Sequence, residues 1–144
     1  VLRVNLLSAA SFARVVGSAL VADGTGGRIV NISSIAGLTG LPNIGPYNPT
    51  KAAMDALTRT MAVELGPYGI CCNSVAPGTI ATEMVEKLLT ANPALKERFV
   101  AKTPLGRVGD TNESAWPIIF LLTDAAAFLT GQTIVVDGGR LAAG

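Results

Sequence analysis

Tyr47 and Lys51 stand four residues apart. On a helix that spacing puts both side chains on one face, one turn from each other. A tyrosine ordinarily titrates near pKa 10 and is a poor base at neutral pH. An ammonium within about 4–6 Å favours the phenolate and lowers that value. Lowering it by about three units takes about 4 kcal/mol of differential stabilisation, which a lysine together with a cationic cofactor ring could supply. Ser34 follows a short apolar stretch that reads as a strand, and α/β sheets hold ligands beyond the carboxyl ends of their strands. Pro77-Gly78 closes a second such stretch, where a glycine lets backbone approach closely. Taken singly, a Tyr–Lys pair fits a solvated helix face, and Ser34 fits a turn residue or a cap. Together they form a proton donor, a cation and a hydroxyl at one end of a sheet.

The remaining composition narrows the chemistry. There is no histidine, so no Ser-His-Asp triad, no Cys-His dyad and no histidine metal site can form. The cysteines, Cys71 and Cys72, are neighbours in sequence. They cannot supply a four-cysteine zinc site or a useful disulfide, so no metal is expected, and a reducing, cytoplasmic compartment is the simpler expectation. With 49% apolar and 15% charged residues over 144 positions, the chain is too apolar for disorder and long enough for one buried core. The net charge is 11 − 10 = +1, which gives nucleic acid no basic face to bind. Unbroken apolar runs are short, as in Ile118-Ile119-Phe120-Leu121-Leu122, below the ~18 residues of a membrane span. No signal peptide is apparent, and no membrane partner is expected. The start at Val1 rather than Met suggests a processed chain or part of a longer one.

The elements that must position these residues follow from periodicity. Leu6, Leu7, Ala10, Ala13, Val16 and Leu20 recur at helical spacing, predicting a helix over 5–22 that stops at Asp23-Gly24-Thr25-Gly26-Gly27. Residues 28–33 read as a buried strand. A glycine- and proline-rich loop, 37–46, leads into a helix over about 46–65 with Met54, Leu57, Met61 and Leu65 as its stripe, ended by Gly66-Pro67. Residues 70–76 form a second buried strand. One or two short helices broken at Asn92-Pro93 span 82–102. A helix over 112–122 is capped by Thr111 or Asn112, with Trp116-Pro117 marking its first turn or a kink, and a last strand covers 133–136. Strands alternating with helices imply an α/β fold with a parallel sheet. Phe99, Phe120 and Phe128 are expected in the core, Tyr68 as packing, and Asp137 as a partner for turn amides.

These residues carry a family resemblance. Gly27-Arg28-Ile29-Val30-Asn31-Ile32-Ser33-Ser34 followed by Tyr47-Asn48-Pro49-Thr50-Lys51-Ala52-Ala53 resembles the short-chain dehydrogenase/reductase signature, in both the Ser34–Tyr47 interval and the Tyr-x-x-x-Lys spacing. Asn73-Ser74-Val75-Ala76-Pro77-Gly78-Thr79-Ile80-Ala81-Thr82-Glu83-Met84 resembles the family's cofactor-facing segment. Leu129-Thr130-Gly131-Gln132 and Val136-Asp137-Gly138-Gly139 resemble its C-terminal pattern, and Asn5 matches the asparagine of its catalytic tetrad. The resemblance implies a Rossmann-like, doubly wound parallel sheet. It implies NAD or NADP as cofactor, interconversion of a small secondary alcohol and a ketone, and a homo-oligomer, dimer or tetramer. It assigns Tyr47 as acid/base, Lys51 to the tyrosine and the nicotinamide ribose, Ser34 to the substrate oxygen and Asn5 to a water-linked proton path. Pro77, Gly78, Ile80 and Thr82 would face the nicotinamide end. Tyr-x-x-x-Lys without a longer interval argues against the family's enoyl reductases and for a 3-oxoacyl reductase-like type. The Val-Asp-Gly-Gly ending argues against its epimerase branch.

The sequence departs from the pattern in several places. The glycine-rich turn that binds the cofactor pyrophosphate is absent. Asp23–Gly27 follows a helix and precedes a strand, the reverse of the required context. Residues 1–144 are therefore expected to form the C-terminal half of a single cofactor-binding domain, its N-terminal phosphate-binding half missing. On this expectation the 144 residues are inactive alone, and the alternative is a truncated, non-catalytic chain acting as an assembly module. Pro49 inside the Tyr–Lys interval is tolerable only in a first helical turn. Cys71-Cys72 replace the family's common Arg-Val, and a buried cysteine packs as a small hydrophobe. After Thr82, Met84, Val85, Leu88 and Leu89 would form an apolar wall to the substrate pocket.

Overall fold

The computed structural model describes residues 1–143. A π-helical turn, Arg3–Leu7, runs into helix α1, Ser8–Asp23; then follow strand β1, Gly27–Ile32, helix α2, Tyr47–Leu65, and strand β2, Ile70–Pro77. Helices α3, Glu83–Ala91, α4, Pro93–Ala101, and α5, Thr111–Leu121, precede strand β3, Thr133–Val136. The described strands form one parallel sheet in the order β1-β2-β3. Gly27 lies opposite Ile70 and Ile32 opposite Val75; Ser74 lies opposite Thr133 and Pro77 opposite Val136.

Strand alternation sends neighbours to opposite faces, and both faces of β2 are covered. Ile70 and Cys72 pack with Met61 and Ala62 of α2 and with Ala13, Leu20 and Val21 of α1. Val75 packs on the other side with Leu121 of α5, Ile134 and Val136. This two-sided burial explains why β2 reads as an unbroken apolar run. Cys72 is fully buried as a small core side chain, while Cys71 turns to the opposite layer and donates to the Ala127 carbonyl. β1 is half-buried rather than buried, because it is the edge strand and has no second neighbour among the described residues.

Other expectations are corrected by tertiary position. Phe128, Phe120 and Tyr68 are exposed, Phe128 at 102%. Leu7 and Val16 of the first helical stripe are exposed as well. α2 does end at Leu65 with Gly66 as its cap, as expected; the chain then passes through a 3₁₀ turn, Gly66–Tyr68, and the left-handed residue is Gly69, at φ 71°. α5 is capped by Asp110 in a capping box with Glu113 rather than by Thr111 or Asn112. Pro117 lies inside that helix, past its first turn. The Arg3–Asp23 helix is long and apolar enough, by length and composition alone, to cross a membrane, with mean hydropathy 1.5. Reading only for unbroken apolar runs missed it, since alanine, serine and glycine separate its larger residues.

Candidate active site

The carboxyl ends of β1 and β2 open onto a cleft of about 490 Å³, lined by Ser34, Tyr47, Lys51, Pro77, Gly78, Ile80 and Thr82 among others. The chain reverses sharply after β1. Ser34 is extended, at φ −168°, and caps a 3₁₀ turn, Ile35–Gly37. Its hydroxyl oxygen accepts from the Ala36 amide at 3.2 Å, so the hydroxyl hydrogen remains free to donate. Gly37 packs against the backbone of α2: a Cβ there would lie 2.7 Å from Ala52 N and from the Lys51 carbonyl carbon. Ser33, buried, donates to the Lys51 carbonyl at 3.2 Å. The turn bearing Ser34 is thus fastened to the helix segment bearing Lys51.

α2 starts at Tyr47 despite Pro49 two residues later. Pro49 falls in the first turn, where a missing N–H breaks no helical bond. The Ile44 carbonyl accepts from the Tyr47 amide at 2.9 Å, and Thr50 Oγ1 donates to the Tyr47 carbonyl at 2.7 Å. Asn48 Nδ2 donates to the Leu41 carbonyl at 2.9 Å, tying down the preceding loop. Tyr47 and Lys51 therefore share one face as the spacing predicts, with Lys51 Nζ 5.6 Å from the centre of the Tyr47 ring. That is within the range at which a cation interacts with an aromatic face.

Lys51 Nζ donates to the Ile32 carbonyl at the end of β1, at 2.7 Å. An ammonium has three donors, so two remain for a ligand. Burial holds the Lys51 ammonium below its usual 10.5, and the Asp55 carboxylate one turn further along α2 opposes that shift.

Across the cleft, Gly78 lines the site and also makes a close approach on its other side. A Cβ there would lie 2.8 Å from Asp137 Cβ, so its close contact is with the turn after β3. Asp137 accepts from the Gly139 and Leu141 amides, both at 2.8 Å, as expected of a turn carboxylate. Ile80 bridges to Gly109, and Thr82 caps α3, its hydroxyl accepting from the Val85 amide at 3.4 Å. Val85 and Leu88 line the cleft. Met84, in contrast, points to solvent and Leu89 into the core, a division set by the helical period. Phe99, expected in the core, Thr111, expected as a helix cap, and Ser114, not singled out in the sequence, also line the cleft. Their placement is set by tertiary packing, α5 lying against β2 through Leu121 and Val75, for which no local pattern exists. Asn5 lies outside the cleft: its Nδ2 donates to Thr50 Oγ1 at 3.4 Å, behind Tyr47.

The donor set fits the nicotinamide end of a dinucleotide. Two ammonium donors of Lys51 and the Thr82 hydroxyl face an apolar cleft at strand carboxyl ends, the position α/β sheets use for such ligands. Among the described residues no cluster of His, Cys, Asp or Glu could hold a metal ion.

A family model described as enoyl-(acyl carrier protein) reductase matches residues 1–140. L-rhamnose 1-dehydrogenase (NAD(P)(+)) of Sphingomonas sp. is 44% identical over 137 residues, 95% of this chain and 54% of that protein. A 3-oxoacyl-[acyl-carrier-protein] reductase of Synechocystis sp. is 48% identical over 116 residues, 80% of this chain and 44% of that protein. Among solved structures, a gluconate 5-dehydrogenase from Burkholderia cenocepacia in complex with NADP and tartrate superposes with a TM-score of 0.92 at 37% identity, covering 98% of this chain and 55% of that one. The chain spans about half the length of the curated relatives it matches.

Proposed function

The chain belongs to the short-chain dehydrogenase/reductase family, and from that premise we propose that it supplies the proton-handling half of an NAD(P)-dependent oxidoreductase interconverting a secondary alcohol and a ketone. The convergence of Ser34, Tyr47 and Lys51 with Gly78, Ile80 and Thr82 on one cleft carries this reading. A bound nicotinamide dinucleotide would supply or accept the hydride at the substrate carbon. Tyr47 then gives a proton to the substrate oxygen in reduction and takes it back in oxidation. Ser34, its acceptor side engaged by Ala36, donates to the same oxygen and holds the reacting carbon in place. Lys51 keeps positive charge beside the Tyr47 ring and offers its two remaining donors to the nicotinamide ribose. Asn5, through Thr50, supports the first turn of α2 behind Tyr47.

Val85, Leu88 and Phe99 give the cleft its apolar side, which suits a small alcohol or ketone. Free thiols at Cys71 and Cys72 support a cytoplasmic setting. Exposed apolar side chains on α1, Phe12 and Val15 foremost, support a homo-oligomer. The same exposed face favours a second reading, in which the 144 residues act only as an assembly module.

Tyr47→Phe decides between the two. In the protein that carries this chain, the substitution should lower turnover by about 10²–10⁴-fold, the usual contribution of a positioned acid/base. Nicotinamide affinity, measured by fluorescence titration, should stay near its original value. Turnover close to the unsubstituted level would remove Tyr47 from the chemistry and leave assembly as the function.

A further inference from the structure

α4 is nine residues long and buries none of them fully; its neighbour α3 buries only Leu89. Helices this short are marginal by themselves, so contacts from outside the pair must hold it beside the sheet. One set comes from the turn after β3. Thr103, just past α4 and buried, donates from Oγ1 to the Phe99 carbonyl at 2.9 Å. Gly138, at φ 65°, packs on Thr103, where a Cβ would lie 2.7 Å from its Cγ2. The Gly138 carbonyl accepts from the Leu105 amide at 3.2 Å. Arg140 leaves the same turn and is partly buried. Its guanidinium carbon lies 5.3 Å from the centre of the Phe99 ring, and its Nη1 donates to Thr79 Oγ1 at 3.4 Å. Phe99 and Thr79 both line the cleft, one from α4 and the other from the segment after β2. Arg140 stands behind them and is not itself part of the lining.

We propose that Arg140 is a positioning residue that sets substrate selectivity: stacked on Phe99 and bonded to Thr79, it ties two walls of the cleft together and fixes where the Phe99 ring stands. The proposal rests on the reading of the cleft as an alcohol or ketone site. Arginine suits the task. Its planar guanidinium lies on an aromatic face and keeps donors at its edge for a hydroxyl. The turn that carries it is fixed by Asp137, which accepts from the Gly139 and Leu141 amides. Among the described residues Arg140 joins no ion pair, so no carboxylate there draws it off the ring. The reacting groups, Ser34 and Tyr47, belong to the β1 turn and α2, elements that Arg140 does not contact. Its effect therefore falls on the apolar arm of a substrate that reaches Phe99, and not on the proton transfer or on the nicotinamide.

The test uses the protein that carries this chain, with 2-butanone and 2-octanone as probes of a short and a long apolar arm. Arg140→Met should lower the preference for 2-octanone over 2-butanone, as the ratio of kcat/KM, by about 2–5-fold, the scale of a partly exposed cation–π contact. Most of the change should lie in KM, with nicotinamide affinity unmoved. Arg140→Lys, which keeps a cation for the ring, should recover most of the preference. Phe99→Leu should lower it too, and the double substitution should lower it no further, because one residue acts through the other. An unchanged preference, an equal loss with both ketones, or additive losses in the double variant would overturn the proposal. If neither ketone turns over, the oxidoreductase reading is what fails, and thermolysin still tests the wall. Arg140→Met should speed cleavage within residues 83–102 by a similar factor at an unchanged melting temperature. An unchanged cleavage rate, or one that rises only together with a fall in melting temperature, would overturn the proposal. If Arg140→Met does not fold, Arg140→Gln, which keeps a donor for Thr79 and removes the cation, takes its place in both measurements.

Discussion

The part-burial of Lys51 comes at some expense to the fold. Its ammonium is held below 10.5 by burial, so between the folded and unfolded midpoints the unfolded chain binds the proton more readily. Stability therefore rises with pH across that window and is lower at neutral pH than the same contacts would give with an uncharged side chain. Lys51→Met keeps most of the aliphatic stem and removes the charge. Two outcomes are expected. Turnover and nicotinamide affinity are both lost, because the Tyr47 neighbour and the ribose donors are the same group. In thermal melts, the stability of the original protein relative to the variant increases from neutral to alkaline pH. A difference that stays flat with pH would mean the lysine titrates alike in the folded and unfolded chain, as a fully solvated ammonium does.

At the scale of elements, the site depends on a close approach between the turn after β1 and the start of α2. Gly37 is the point of contact. Gly37→Ala introduces a methyl where 2.7 Å is available, and overpacking of this kind costs about 1–3 kcal/mol. The chain must open there, which moves Ser34 away from Tyr47. The expected result is an unfolding free energy, from urea denaturation, lowered by that amount, with a loss of turnover larger than the loss of nicotinamide affinity. Unchanged turnover would separate the turn from the catalytic geometry. Nothing in the sequence marked Gly37 beyond its place in a loop, because the clash that requires glycine comes from a helix fifteen residues away. What was legible is local. The 3.6-residue period placed α2 and the break at Asn92 between α3 and α4, and the Tyr–Lys spacing survived Pro49 because a first turn tolerates it. What was hidden is tertiary: the exposure of Phe120 and Phe128, the cap by Asp110 three residues from its Glu113 partner, and the arrival of Thr111 and Ser114 at the cleft.

For the whole molecule, the parallel sheet gathers the candidate chemistry at one edge and leaves β1 unpaired on its outer side among the described residues. The sequence contains no glycine-rich turn leading onto a helix N-terminus, the device that holds a dinucleotide pyrophosphate. The 144 residues alone should thus show no saturable binding of NADH or NADPH in a fluorescence titration. They should also self-associate through the open edge, as read by light scattering. Tight binding by a soluble monomer would show that the nicotinamide end is sufficient by itself. The adjacent cysteines on β2 have a practical consequence of their own. Cys72 is sealed under α1 and α2, and Cys71 faces the layer that contains Ala127. Cys71 is partly exposed and Cys72 buried, so a thiol reagent that reaches Cys71 in the folded chain reaches Cys72 only when the layer under α1 and α2 opens, and the lag between the two labels times that opening.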